Sequence, residues 1–153
     1  MKRLTAVFLA LLVLSGSPAL AGEGVTVLVT GANRGIGLEY AKQFSAKGYT
    51  VIGTARKPGQ ADELDVVADR VEQLDVADPK SVAALAERLD GVAIDILINN
   101  AGIFERQDVT IDEVDFDMME RTYAVNTLGP LRVTKALLPN LRAGKSKVVI
   151  SMS

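Results

Sequence analysis

The sequence predicts an α/β fold, a doubly wound parallel sheet with helices on both faces. Three observations carry that expectation. Short apolar, β-branched segments alternate with helical patterns from residue 25 to residue 153. The first of them, Val25-Thr26-Val27-Leu28-Val29, stops at the glycine turn Thr30-Gly31-Ala32-Asn33-Arg34-Gly35-Ile36-Gly37, and a helix-period pattern (Ile36, Tyr40, Ala41, Phe44) follows directly. Strands alternating with helices imply right-handed crossovers, hence a parallel sheet that offers ligand sites at the C-terminal ends of its strands.

Each element has its own signal. The helix from about Gly35 to Lys47 ends at Gly48, a suitable residue just past a helix C-terminus. Tyr49-Thr50-Val51-Ile52-Gly53-Thr54-Ala55 is a short β-branched strand that delivers Arg56 and Lys57 ahead of a Pro58-Gly59 turn. An acidic helix at about residues 60–68 leads to a third strand, Val71-Glu72-Gln73-Leu74, which ends at Asp75-Val76. Asp78-Pro79 reads as an N-cap followed by proline in the first turn, and Val82, Leu85, Ala86 and Leu89 form one apolar face before Gly91. Ile94-Asp95-Ile96-Leu97-Ile98 is apolar enough for a buried parallel strand and breaks at Asn99-Asn100-Ala101-Gly102. A long helical stretch spans roughly residues 112–141, with Phe116, Met119, Tyr123, Val125 and Leu128 at mixed spacings of three and four. Gly129-Pro130 interrupts it, which predicts a kink or break just after Asn126. The fifth strand is Lys147 to Ser153. For a doubly wound sheet the expected strand order is 3-2-1-4-5.

Composition narrows the function. With 17 Lys+Arg against 19 Asp+Glu and a net charge of −2, the 153 residues carry no excess that would recruit nucleic acid or an anionic membrane. The absence of cysteine and histidine excludes disulfides, thiolate chemistry, histidine bases and the common zinc sites. Part of the 48% hydrophobic content belongs to a leader: Met1-Lys2-Arg3 is basic, residues 6–14 are unbroken and apolar, and residues 15–21 end in small side chains around Ala19 and Ala21. The expected organisation is a signal peptide at 1–21, cut after Ala21 to export the chain with no further membrane contact, and a nucleotide-binding domain at 22–153. An uncleaved anchor is the alternative.

The glycine turn is the first candidate site. Glycine permits positive φ and close approach of a ligand, and the following helix N-terminus presents free N–H groups to an anion such as a pyrophosphate. Gly31, Asn33, Arg34, Gly35, Ile36 and Gly37 are the candidates, in the spacing Gly-x-x-x-Gly-x-Gly rather than the general Gly-x-Gly-x-x-Gly; a purely structural αβ turn is the other reading. At the end of the second strand an acidic residue would bind an adenosine ribose 2′-hydroxyl, whereas Arg56 would accept a 2′-phosphate. Arg34 adds a second cation; Arg56 and Lys57 could also be solvated loop charges. Asp75 with Val76 stands where an adenine amino group would be met, or Asp75 is a turn residue. Asn99, Ala101 and Gly102 fall at the end of the fourth strand, where adjacent amides can tie strands together and line a cofactor's path, or serve a bare turn.

Four features taken together, Thr30-Gly31-x-x-x-Gly35-Ile36-Gly37, Asn99-Asn100-Ala101-Gly102, Asn126 in Val-Asn-Thr-Leu-Gly-Pro, and a Val-Val-x-x-x-Ser strand ending at Ser153, resemble the short-chain dehydrogenase/reductase family. The resemblance covers Val25 to Ser153. It implies a Rossmann-like sheet and hydride transfer between a nicotinamide and a small carbonyl or alcohol substrate. Arg56 and Arg34 make NADP(H) the expected cofactor over NAD(H). By resemblance Ser153 polarises the substrate oxygen, with Ser151 as the other choice of register, Asn126 holds a water in a proton relay, and a helix at residues 116–138 supplies a subunit contact for a homo-oligomer. The family's Tyr-x-x-x-Lys pair is missing: Tyr40, Tyr49 and Tyr123 are followed four residues later by Phe44, Gly53 and Thr127. The expectation is therefore a family domain lacking its C-terminal strands, inactive by itself, with a non-catalytic NADP(H)-binding or sensing module as the alternative.

Overall fold

The computed structural model describes residues 24–104 and 110–152. The leader expected at 1–21 and the candidate Ser153 lie outside the described residues. Five strands form one parallel sheet: β1 (Thr26–Val29), β2 (Thr50–Ala55), β3 (Arg70–Gln73), β4 (Ile96–Asn99) and β5 (Val148–Ser151), in the order β3-β2-β1-β4-β5. This is the expected order. Alternation along each strand divides the core. Val27, Val29, Val51 and Ile98 face α1 (Gly35–Ala46) and α2 (Asp62–Val67) together with Leu38, Ala41 and Leu64. Leu28, Ile52 and Leu97 face the other way, against α3 (Pro79–Arg88), α5 (Gly129–Ala136) and α6 (Leu138–Ala143), where Leu85, Val133 and Leu137 are fully buried.

Local signals set most boundaries. Asp78 caps α3 by accepting from the Lys80 N–H at 2.9 Å, with Pro79 in the first turn. Pro58–Gln60 forms a 3-10 turn, so α2 begins only at Asp62. The expected 112–141 helix is divided in three. Helix α4 (Phe116–Tyr123) passes into a π-helical turn at Ala124–Leu128 before α5 begins, and Leu137 separates α5 from α6. The interruption is thus a wider turn around Asn126 with Pro130 placed in the first turn of α5, where its missing N–H costs nothing. Phe116, Met119 and Tyr123 repeat at helical spacing yet are 69%, 54% and 56% exposed, so among the described residues nothing covers that face of α4.

The two sheet edges are built differently. On β3, buried Glu72 pairs with both Arg70 and Arg88, and Arg88 Nη2 also donates to the Gln73 carbonyl at 2.6 Å. Charges on an edge strand discourage further strand pairing. On β5 there is no charge between Val148 and Met152. That strand is anchored by Asp95, which is 3% exposed and accepts from the Thr26 N–H at 2.9 Å, the Lys145 N–H at 2.6 Å and the Ser146 N–H at 3.2 Å.

Candidate cofactor cleft

A cleft of about 820 Å³ opens where the C-terminal ends of the strands meet the N-terminus of α1. Its floor is the glycine turn: Gly31, Asn33, Arg34, Gly35, Ile36 and Gly37 all border it. Two glycines are required there. Gly31 has φ +63°, and a Cβ on it would lie 2.9 Å from the Ala101 Cα; a Cβ on Gly37 would lie 2.4 Å from both the Gly31 carbonyl oxygen and the Asn100 Nδ2. Helices α3 and α4 are capped by Asp78 and Asp115, whereas no side chain caps α1 and no acid lies in its first turn. Its N-terminal N–H groups and positive dipole end are therefore directed at the cleft without a resident anion.

One wall is cationic. Arg56 and Lys57 follow β2 and border the cleft with Arg34; among the described residues none of the three is in an ion pair. Gln60 lies beside them. Asp75 and Val76 also border the cleft. The Asp75 Oδ1 accepts from the Ala77 N–H at 2.9 Å, so Asp75 serves its own turn while its residue faces the site.

The opposite wall is the segment after β4. Asn100 Nδ2 donates to the Thr30 and Gly31 carbonyls at 2.9 and 3.1 Å, and the Asn100 and Ala101 N–H groups both donate to Thr30 Oγ1 at 3.0 Å. These bonds fix the glycine turn against the end of β4. Ala101 and Gly102 border the cleft as expected, but Asn99 does not. Strand alternation turns the Asn99 side chain into the opposite layer, where it is 3% exposed and donates to Thr134 Oγ1 at 3.1 Å; Asn100 occupies the position expected of it. The adjacent amides are indistinguishable until the strand's last residue is known. Leu74, Ile103 and Val125 complete the lining.

Asn126 sits in the π-helical turn, and both ends of its amide are engaged. Its Oδ1 accepts from the Ile103 N–H at 2.9 Å and its Nδ2 donates to the Ile103 carbonyl at 2.7 Å. The side chain thus pins the cleft wall to the helix. Asn126→Leu should remove both bonds, destabilise the fold by about 1–2 kcal/mol and accelerate amide exchange at Ile103. Unchanged exchange at Ile103 would refute the clamp.

A parallel α/β sheet with a glycine-rich turn opening an uncapped helix is the arrangement in which dinucleotide sites are found in open α/β folds. The sequence matches the short chain dehydrogenase family over residues 25–153, and the chain belongs to that family. It is 31% identical to (+)-neomenthol dehydrogenase of Arabidopsis thaliana, the match covering 82% of this chain and 52% of the relative. Among solved structures it resembles NADPH-bound carbonyl reductase from chicken fatty liver (38% identity, TM-score 0.67, 79% of this chain and 53% of that one). It also resembles 3-ketoacyl-(acyl-carrier-protein) reductase from Brucella melitensis complexed with NADH (30% identity, TM-score 0.70, 78% and 51%). The chain spans about half the length of these relatives.

Proposed function

We propose that this chain is the NADP(H)-binding part of an oxidoreductase that acts on a small carbonyl or alcohol compound. The observation that carries the reading is the cationic wall: Arg34, Arg56 and Lys57 border the cleft beside the end of β2, with no acid at that strand end to receive a ribose 2′-hydroxyl. In this reading the amides at residues 31–37 hold the pyrophosphate, Arg34 and Arg56 take the 2′-phosphate, and Asp75, Val76, Ala101 and Gly102 border the adenosine. When bound, the cofactor supplies or receives a hydride at its nicotinamide ring. By family resemblance Ser153, or Ser151 in the other register, is assigned to the substrate oxygen, and Asn126 to holding a water in the proton relay as well as the wall at Ile103. The uncovered α4 face around Phe116, Met119 and Tyr123 is assigned to a contact between subunits.

Titration of the chain with NADPH and NADH tests this. NADPH should bind the more tightly, and Arg56→Glu should weaken it by about 10- to 100-fold, the loss of one charge-assisted contact, while leaving NADH within about threefold. Equal affinity for the two cofactors would remove the arginine assignment. The 153 residues contain no Tyr-x-x-x-Lys pair to exchange the substrate proton. Cofactor binding is therefore expected without turnover, and NADPH oxidation by the purified chain on a panel of aldehydes and ketones should not exceed that of buffer. Export is part of the same proposal: N-terminal sequencing of the mature protein should begin at Gly22.

A further inference from the structure

We propose that the groove between α3 and α5 is a binding site for a small anionic amphiphile, an alkyl chain ending in a carboxylate. The groove holds about 330 Å³ and is lined by Pro79, Val82 and Ala83 of α3 and by Arg132, Lys135 and Ala136 of α5. On each helix these positions stand at i, i+3 and i+4, the spacing that puts side chains on one face. Two short stripes therefore confront one another. Packing explains why the space between them is open. One layer deeper, against the sheet, Leu85, Val133 and Leu137 are fully buried and fill the interior. At the outer level the facing side chains are small: Ala83 and Ala136 leave a gap whose floor is Val82, itself 4% exposed.

The floor is apolar and the rim is cationic. Lys135 is exposed and joins no ion pair among the described residues. Arg132 is half-buried, and its Nη1 donates to the Ala124 carbonyl at 3.1 Å. Its other edge, Nε with Nη2, is the fork that matches a carboxylate. No acid lines the groove. Asp78, the neighbour of Pro79 in the chain, has its Oδ1 taken by the Lys80 N–H at 2.9 Å.

These features select the occupant. An alkyl chain laid on the floor removes apolar surface from water, and its carboxylate meets two cations that no lining acid neutralises. A neutral chain would forgo the second gain and a simple inorganic ion the first. A macromolecular partner needs about 800 Å² from each side, whereas six lining residues around this volume fall at the lower end of small-molecule sites, about 300–1,000 Å³. No residue lines both this groove and the cofactor cleft, so the inference does not rest on the cofactor reading.

The test is titration of the full 153-residue chain with sodium octanoate, followed by the NMR methyl resonances of the groove. The expected result is a saturable shift at Val82, Ala83 and Ala136 with a Kd below about 1 mM, and binding of octanol weaker by about tenfold or more. Ala83 and Lys135 are both exposed, so each can be changed with the fold intact. Lys135→Glu reverses the charge at the rim and Ala83→Phe fills the gap; each, checked for an unchanged thermal midpoint, should raise the octanoate Kd about tenfold or more. Lys135→Arg keeps the charge and should bind within about threefold of the parent. Shifts that do not saturate, octanol binding as tightly as octanoate, or parent-like octanoate binding by both Lys135→Glu and Ala83→Phe would overturn the proposal. Loss of octanoate binding in Arg56→Glu would overturn it too, because the anion would then sit in the cofactor cleft. NADPH is titrated separately, so a failed cofactor assignment leaves each of these outcomes readable.

Discussion

Gly37→Val is expected to abolish measurable NADPH binding, a loss of about 100-fold or more, and to destabilise the fold by about 3 kcal/mol. A Cβ at this position meets the Gly31 carbonyl oxygen and the Asn100 Nδ2 at 2.4 Å each and the Ala32 Cα at 3.1 Å. The carbonyl and the Cα belong to the backbone of the glycine turn, so neither can rotate away. The amide cannot yield cheaply either, because its Nδ2 is bonded to both the Thr30 and the Gly31 carbonyls. Valine therefore acts on two levels, pushing the first turn of α1 off the strand ends and breaking the tie that sets the glycine turn. Gly59→Ala is the control, since a Cβ there meets nothing within 4 Å; it should change stability by less than about 0.5 kcal/mol and leave the titration unaltered. Denaturant unfolding with fluorescence titration reads both effects. A Gly37→Val protein that binds NADPH as the parent does would show that the turn is not the pyrophosphate site.

How much of this was legible in the sequence depended on whether the deciding interaction was local. The strand-turn-helix at residues 26–46 and the Asp78 cap followed from apolar runs, glycines and capping residues that act over a few residues, and the strand order from the doubly wound class as a whole. The choice between Asn99 and Asn100 was not legible, because it turns on a single step of strand alternation at the end of β4. The π-helical turn was visible only as a disturbance near Gly129-Pro130. Its partner is the main chain of Ile103, separated from Asn126 by 23 positions, and nothing in either segment announces that pairing. Helical periodicity at Phe116, Met119 and Tyr123 correctly marked one face of α4, but periodicity says which side chains lie together and not what covers them. The same holds for β5, whose apolar residues are partly exposed at the edge of the described sheet.

Asp95→Ala should cost about 3 kcal/mol, the second large effect, although Asp95 lies away from the cleft. Its carboxylate joins the N-terminal end of β1, through Thr26, to the turn that launches β5, through Lys145 and Ser146. Alanine leaves three N–H groups to find other acceptors, at a site where the carboxylate was almost wholly buried. Asp95→Asn is the milder change, because an amide can accept on one side while its NH2 group opposes a donor on the other. The Thr26 N–H and, against the opposing effect of burial, the Lys145 and Ser146 amides and the Lys145 charge hold this carboxyl below its ordinary value of 3.8. A group depressed in the folded state contributes its full stabilisation above the unfolded value, and that contribution is lost as pH falls through the folded one. Glu72 behaves alike from 4.5 downward: burial raises its pKa, and hydrogen bonds and charges from Arg88 and Arg70 outweigh that and lower it. The parent chain should therefore lose stability as pH falls below about 4.5, Glu72 contributing first and Asp95 below about 3.8. In Asp95→Asn the urea midpoint should be lower at neutral pH and should decline less steeply below pH 4. An equally steep acid decline in that variant would mean that Asp95 is not the ionised clamp between β1 and β5, and the positioning of the β5 edge would need another cause.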